Sequence, residues 1–115
     1  GIGYAVGSNG PIAKMDVTLR CCGLMDRLQG RVFSAHECAA SKPAPDVYLK
    51  AMALVGADPL RCAVIEDSAT GARAGQASGA KVFGFHWGTP REKLAPVSDV
   101  LFDDMADLPG LLGLG

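Results

Sequence analysis

Two adjacent carboxylates, Glu66 and Asp67, follow a short apolar run at residues 62–65. Carboxylates at the end of a buried segment destabilise a fold unless a cation or hydrogen-bond donors compensate their charge. Mg²⁺ is one such cation, because it prefers oxygen ligands and often takes only one or two protein carboxylates together with phosphate oxygens. The pair therefore predicts a metal site. Capping of the next helix by Asp67 or Ser68 is the alternative interpretation.

Lys42 lies in a loop that its neighbours stiffen, because Pro43 and Pro45 each fix one backbone angle. An ammonium group held in place beside an anion can neutralise phosphate oxygens. A solvated loop lysine is the alternative. Asp46 follows at the start of a helical pattern, where the helix dipole favours a carboxylate. The apolar face of that pattern consists of Tyr48, Ala51, Met52 and Val55.

Ser8 and Asn9 follow an apolar run at residues 4–6 and precede a helical pattern that starts at Ile12. Free backbone N–H groups and the helix dipole favour an anion at such a position, and the hydroxyl and the amide add further donors. Either side chain could instead cap the helix. A serine-hydrolase elbow is disfavoured, because Val6 stands where the G-x-S-x-G motif requires glycine.

The elements that must position these residues are short strands that alternate with helices. Apolar runs predict strands at residues 4–6, 32–34, 62–65, 81–85 and 100–102. Helical patterns lie between them, and three of these end at Gly23, Gly56 and Gly79. This alternation predicts an α/β fold with a mostly parallel sheet covered on both faces. Ligands of such sheets bind at the carboxyl ends of the strands, where the candidate residues stand.

Composition excludes several classes of protein. The 115 residues include 11 Lys and Arg against 12 Asp and Glu, which is not the basic footprint of a nucleic-acid-binding protein. We therefore expect no nucleic-acid partner. No apolar run reaches the roughly 18 residues of a membrane span, so we expect no membrane partner either. The four cysteines form no C-x-x-C pair, and we expect reduced, mostly buried thiols in a cytoplasmic protein.

A hydroxyl, an ammonium group and an acidic pair at one sheet edge suit phosphoryl transfer, which depends on positioning and on charge neutralisation. In order and spacing, residues 6–11, 42–46 and 64–71 resemble motifs two, three and four of the haloacid dehalogenase-like superfamily. The likeness is closest to the β-phosphoglucomutase and phosphoglycolate-phosphatase-like branch. Its most specific part is K-P-x-P-D followed by a strand that ends in E-D-S. The resemblance implies a Rossmann-like, three-layer parallel sheet with helices on both faces.

The resemblance also implies roles for the matching residues. Ser8 and Lys42 would be catalytic: Ser8, with Asn9, would bind the transferring phosphoryl group, and Lys42 would bridge that group and the nucleophile. Asp67 would ligate Mg²⁺, and Glu66 would ligate it or hold its waters. The implied activity is Mg²⁺-dependent hydrolysis of a small phosphorylated metabolite through a phospho-aspartyl intermediate. A phosphomutase and a non-catalytic anion-binding or interaction domain are the alternatives.

The chain departs from the family pattern at its start. The family's nucleophile and its general acid/base are the two aspartates of a D-x-D motif upstream of the serine motif, and a helical cap is inserted between these motifs. The seven residues before Ser8 contain no Asp. We therefore expect residues 1–115 to be the C-terminal core half of a longer protein. The other half, including the central nucleophile strand, would be cleaved, left out of this sequence or exchanged between molecules. Alone, residues 1–115 are expected to be inactive and to have an altered sheet or to dimerise through the gap.

Overall fold

The apolar runs form strands and the segments between them form helices in the computed structural model, which describes residues 3–113. The strands are β1 (Val6–Ser8), β2 (Val32–Ser34), β3 (Ala63–Glu66), β4 (Lys81–Phe85) and β5 (Val100–Phe102). The helices are α1 (Ile12–Cys21), α2 (Met25–Leu28), α3 (Asp46–Val55), α4 (Ala69–Ser78), α5 (Arg91–Leu94) and α6 (Leu108–Leu111). Short 3₁₀ turns lie at Ala35–Glu37, Pro59–Arg61, Ala95–Val97 and Met105–Asp107. The predicted α/β class is confirmed.

All strand pairs in this part of the chain are parallel, and they form two sheets. β1 pairs with β2, with Val6 opposite Val32. The second sheet has the order β3-β4-β5, with Val64 opposite Val82. Residues of β1 and β3 line the space between the two sheets.

Helix α3 covers the first sheet and delivers one tyrosine to its carboxyl end. The helix packs on β1 and β2 and buries Val47, Tyr48, Ala51 and Met52. The ring of Tyr48 fits closely against Gly7 of β1, where a Cβ would lie 3.2 Å from the ring. The helix ends at Gly56, which adopts the left-handed backbone conformation that glycine accepts without strain.

Helix α4 lies close to the second sheet because its buried face consists of small residues. A Cβ at Gly75 would lie 2.9 Å from Val82 and 3.0 Å from Val64, so a larger residue would force the helix away from β3 and β4. The helix begins at Ser68, whose Oγ accepts a hydrogen bond from the Gly71 N–H at 3.1 Å. This cap directly follows Glu66 and Asp67, so the start of the helix fixes the turn that carries the acidic pair.

The structure corrects several details of the sequence-based expectations. The first strand spans Val6–Ser8 rather than residues 4–6, because its pairing with β2 places Ser8 opposite Ser34. The cysteines are free, as predicted, but they are not mostly buried: Cys21 and Cys22 are exposed, and the other two are partly buried. In the described range, residues 3–113, no helix has both the length and the apolar composition needed to cross a membrane.

Candidate functional site

A cleft of about 1420 Å³ separates the two sheets, and β1 and β3 contribute to its opposite walls. At the carboxyl ends of these strands its lining includes all five residues that the sequence singled out, together with one tyrosine. These residues are Ser8, Asn9, Lys42, Tyr48, Glu66 and Asp67. The predicted convergence of the candidate residues on one edge is therefore present.

The turn after β1 is tied to the loop that carries Lys42. The Oδ1 atom of Asn9 accepts a hydrogen bond from the backbone N–H of Lys42 at 3.1 Å, across 33 residues of sequence. The Oγ atom of Ser8 accepts one from the Gly10 N–H at 3.0 Å. Neither side chain caps α1, whose N-cap is Pro11. The capping alternative for this pair is wrong.

Lys42 is a largely buried cation with two partners. Its side chain is 10% exposed, and its Nζ donates to Glu66 Oε1 at 2.5 Å and to the Tyr48 hydroxyl at 2.9 Å. The ammonium also lies 4.7 Å from the centre of the Tyr48 ring. The peptide bond to Pro43 is cis. These contacts rule out the alternative of a solvated loop lysine.

Glu66 is held from three directions at the end of β3. Its Oε1 accepts hydrogen bonds from Lys42 and from the Tyr48 hydroxyl, and its Oε2 accepts one from Ser68 Oγ at 3.3 Å. Its carboxyl group fills the space that a Cβ at position 71 would occupy, so Gly71 is required for this placement. A buried carboxylate with several donors is a stable arrangement.

Asp67 differs from its neighbour because it is exposed. Its backbone carbonyl accepts a hydrogen bond from Thr89 Oγ1 at 2.6 Å, which ties the acidic turn to the loop after β4. Of the two predicted capping candidates, Ser68 caps α4. Asp67 thus lines the cleft and does not cap α4.

The donor set is compatible with Mg²⁺ rather than with a metal that needs an all-protein cage. Among the residues described, no cluster of three or more His, Cys, Asp or Glu could hold a metal ion. Mg²⁺ commonly keeps several waters and takes one or two carboxylates plus substrate phosphate. An exposed Asp67 can supply such a ligand directly. Glu66, whose oxygens already accept hydrogen bonds, suits contact through water.

Tyr48 is the residue at this site that sequence reasoning missed. Helical periodicity places Tyr48 on the apolar face of α3, and its ring is indeed buried, with 8% exposure. Its hydroxyl nevertheless donates to Glu66 and accepts from Lys42. Burial, reinforced by the hydrogen bond to Glu66 and by the nearby negative charges, raises the pKa of Tyr48 well above its ordinary value. The sequence offers only a general indication of this role, because the hydroxyl of a tyrosine on a buried helix face usually has a hydrogen-bond partner.

A family model described as haloacid dehalogenase-like hydrolase matches residues 1–79. The chain belongs to the haloacid dehalogenase-like hydrolase family. The recognition made from the three motifs is thereby confirmed.

Two curated proteins illustrate what this chain is similar to. Protein CbbY of Cereibacter sphaeroides is 34% identical over 119 residues, which cover 99% of this chain and 50% of that protein. Hexitol phosphatase B of Escherichia coli is 35% identical over 78 residues, which cover 68% of this chain and 35% of that protein. The chain therefore spans half or less of the length of these relatives.

Solved structures agree with this assignment. A haloacid dehalogenase family hydrolase from Deinococcus radiodurans, solved with bound phosphate and sodium, superposes with a TM-score of 0.88 at 30% identity. The match covers 97% of this chain and 52% of that one. The β-phosphoglucomutase of Clostridium difficile superposes with a TM-score of 0.74 at 21% identity, covering 90% of this chain and 44% of that chain. At that identity the likeness shows the fold alone.

Proposed function

We propose that this chain is the C-terminal core part of a Mg²⁺-dependent phosphohydrolase that acts on a small phosphorylated metabolite. The observation that carries the proposal is the chain of contacts from Asn9 through Lys42 to Glu66. These contacts join the ends of β1 and β3 at one edge of a cleft that Ser8 and Asp67 also line. The family membership and the hydrolases among its relatives support the same activity.

The reaction has two displacements at phosphorus. A carboxylate oxygen of an aspartate outside this sequence attacks the phosphorus of the substrate, and the bond from phosphorus to the ester oxygen breaks. The leaving oxygen takes a proton from the second aspartate of the upstream D-x-D motif, which acts as the general acid. Water then gives a proton back to that aspartate as it attacks the phosphorus of the phospho-aspartyl group, which releases inorganic phosphate and restores the nucleophile's carboxylate. Both steps place negative charge on the three transferring oxygens, so fixed donors and cations accelerate them.

Residues of this chain bind that transferring group. The Ser8 hydroxyl, the Asn9 amide and the backbone N–H groups of the turn after β1 donate to its oxygens. The Lys42 ammonium offsets its charge and bridges it to the nucleophile. Because Lys42 is anchored by Glu66 and Tyr48, little conformational entropy remains to be lost when phosphate binds.

Asp67 and Glu66 are the residues that would hold Mg²⁺, Asp67 as a direct ligand and Glu66 through water. When bound there, the ion would offset negative charge on the phosphoryl oxygens. The Deinococcus relative was solved with bound phosphate and sodium, which is compatible with anion and cation binding by proteins of this fold.

The nucleophile strand belongs, in this proposal, between β1 and β3. At about 1420 Å³ the cleft is larger than the roughly 300–1,000 Å³ typical of small-molecule pockets, so it has room for more than a metabolite. The facing edges of β1 and β3 are without a strand partner among residues 3–113. Unpaired strand edges readily accept another parallel strand. The upstream half of the same protein would supply this strand. That half could be continuous with residues 1–115, separated from them by cleavage, or exchanged between two molecules.

Two related functions stay as alternatives. A phosphomutase uses the same core, and the fold of the Clostridium enzyme is consistent with it. A non-catalytic anion-binding domain would keep Ser8 and Lys42 without a nucleophile.

The reducing cytoplasm is the proposed location, since the chain carries four free cysteines, two of them exposed.

The experiment compares the complete protein with residues 1–115 alone, using p-nitrophenyl phosphate and a panel of sugar phosphates in the presence of Mg²⁺. We expect phosphate release by the complete protein and none by the isolated residues. Hydrolysis by residues 1–115 would contradict the upstream nucleophile. A complete protein that binds phosphate without turnover would establish the binding domain, and isomerised sugar phosphate without net release would establish the mutase.

A further inference from the structure

The Tyr48 hydroxyl occupies the junction of three elements. Tyr48 belongs to α3, Lys42 to the loop before it, and Glu66 to the end of β3. The hydroxyl accepts a hydrogen bond from Lys42 Nζ at 2.9 Å and donates one to Glu66 Oε1. Lys42 Nζ also contacts that same Oε1. The three polar groups therefore form a closed triangle.

This triangle restricts the orientation of both charged groups. A tyrosine hydroxyl has one hydrogen, and here it points to Glu66, so its lone pairs face Lys42. With Oε1 taking two donors, the carboxylate of Glu66 can rotate only by breaking one of them. Lys42, whose long side chain has many rotamers, is fixed by two acceptors rather than one.

The position of the hydroxyl is itself set by packing. The ring is almost fully buried and lies against Gly7 of β1, where a Cβ would approach it to 3.2 Å. A phenylalanine would fill the same space and keep the same contact with the Lys42 ammonium. The hydroxyl is therefore separable from the packing by a single substitution.

We propose that Tyr48 is a positioning residue, whose hydroxyl holds the Lys42 ammonium and the Glu66 carboxylate in fixed relation for phosphoryl transfer. The inference rests on the proposed function. The proposed function identifies Lys42 and Glu66 as site residues, but it does not say what holds their charged groups in position. A role in packing alone would predict that phenylalanine is equivalent.

The test uses Tyr48→Phe in the complete protein, with Tyr4→Phe as the matched control. Tyr4 also loses a hydroxyl hydrogen bond, which it donates to the Arg27 carbonyl away from this triangle. We expect Tyr48→Phe to lower kcat by about tenfold, the loss typical of a hydrogen bond to a charged group, with KM changed by less than about threefold. Mg²⁺ affinity, measured by calorimetry without substrate, should weaken severalfold. Tyr4→Phe should leave kcat, KM and the Mg²⁺ affinity unchanged.

A double-mutant cycle separates positioning from packing. In a Glu66→Gln background, Tyr48→Phe should have little further effect on kcat, because the orientation that the hydroxyl maintains is already disturbed. Additive effects, or a Tyr48→Phe protein with unchanged kcat and Mg²⁺ affinity, would overturn the role of Tyr48 while leaving the proposed function intact. A wild-type protein without phosphate-ester turnover would overturn both. Thermal unfolding of each variant shows that the compared proteins are folded.

Discussion

Lys42 Nζ lies 2.5 Å from Glu66 Oε1, and both side chains are 10% exposed. This ion pair joins the K-P-x-P-D loop to the end of β3 across 24 residues. Two short motifs that are separate in sequence thereby become one charged unit. With the Asn9 contact to Lys42, it holds the two sides of the cleft together at their carboxyl ends.

Lys42→Ala is expected to destabilise the complete protein and to abolish turnover. Removal of the cation leaves the Glu66 carboxylate buried beside a tyrosine hydroxyl and a serine, and breaking a buried pair in this way costs about 3 kcal/mol. Denaturant unfolding measures the loss. The control is Lys50→Ala. Lys50 also forms an ion pair, with its Nζ 3.7 Å from Glu37 Oε2, but this pair is exposed. That change should alter stability by less than about 0.5 kcal/mol. Equal effects of the two substitutions would contradict the special role of the Lys42 pair.

Gly71→Ala is expected to displace Glu66 and lower activity sharply. The added Cβ would occupy the space of the Glu66 carboxyl group, although alanine normally favours a helix by about 1 kcal/mol. Gly110→Ala is the matched control, because Gly110 is also helical and a Cβ there meets no atom within 4 Å. The measurements are steady-state rates and thermal unfolding. A fully active Gly71→Ala protein would show that the position of Glu66 does not matter.

Asp67→Ala is expected to change the metal requirement of the reaction. Loss of the proposed direct ligand should raise the Mg²⁺ concentration for half-maximal rate at least about tenfold, which is about 1.4 kcal/mol of binding free energy. A Mg²⁺ titration of the rate checks this, with Asp103→Ala as a control that removes another exposed carboxylate beyond a strand end. If Asp67→Ala retains wild-type kinetics, Asp67 has no role in metal binding.

The stability of the protein should fall at high pH in part because of Tyr48. Burial, together with the contact with Glu66, raises its pKa in the folded protein above the ordinary value of 10.0. As pH rises beyond about 10, the unfolded tyrosine loses its proton while the folded one keeps it, so ionisation favours unfolding. Tyr48→Phe should therefore show a shallower decline of unfolding free energy between pH 9 and 11 than wild type. Identical slopes would contradict the raised pKa.

Local sequence signals predicted much of the fold. The apolar runs gave β2, β4 and β5 their observed bounds, and Gly56 and Gly79 end helices in the left-handed conformation, as their positions indicated. β1 was placed two residues early. Tyr4 and Ala5 are apolar, but the strand's limits depend on pairing with β2, which no local pattern encodes.

The candidate site was predicted in its residues but not in its contacts. Lys42 was equally compatible with a solvated loop, because its burial depends on Glu66 and Tyr48 brought in by tertiary packing. Helical periodicity correctly placed the Tyr48 ring in the core. Periodicity carries no information on hydroxyl partners, and the acceptor lies 18 residues away on another element.

A crystal structure of the complete protein with Mg²⁺ and orthovanadate, a mimic of the phosphoryl group in transfer, tests the proposed site directly. We expect vanadate oxygens within about 3.2 Å of Ser8 Oγ and Lys42 Nζ. We also expect Mg²⁺ at about 2.1 Å from a carboxylate oxygen of Asp67. Vanadate and metal bound elsewhere, with Lys42 and Asp67 touching neither, would show that these residues do not form a phosphoryl-transfer site.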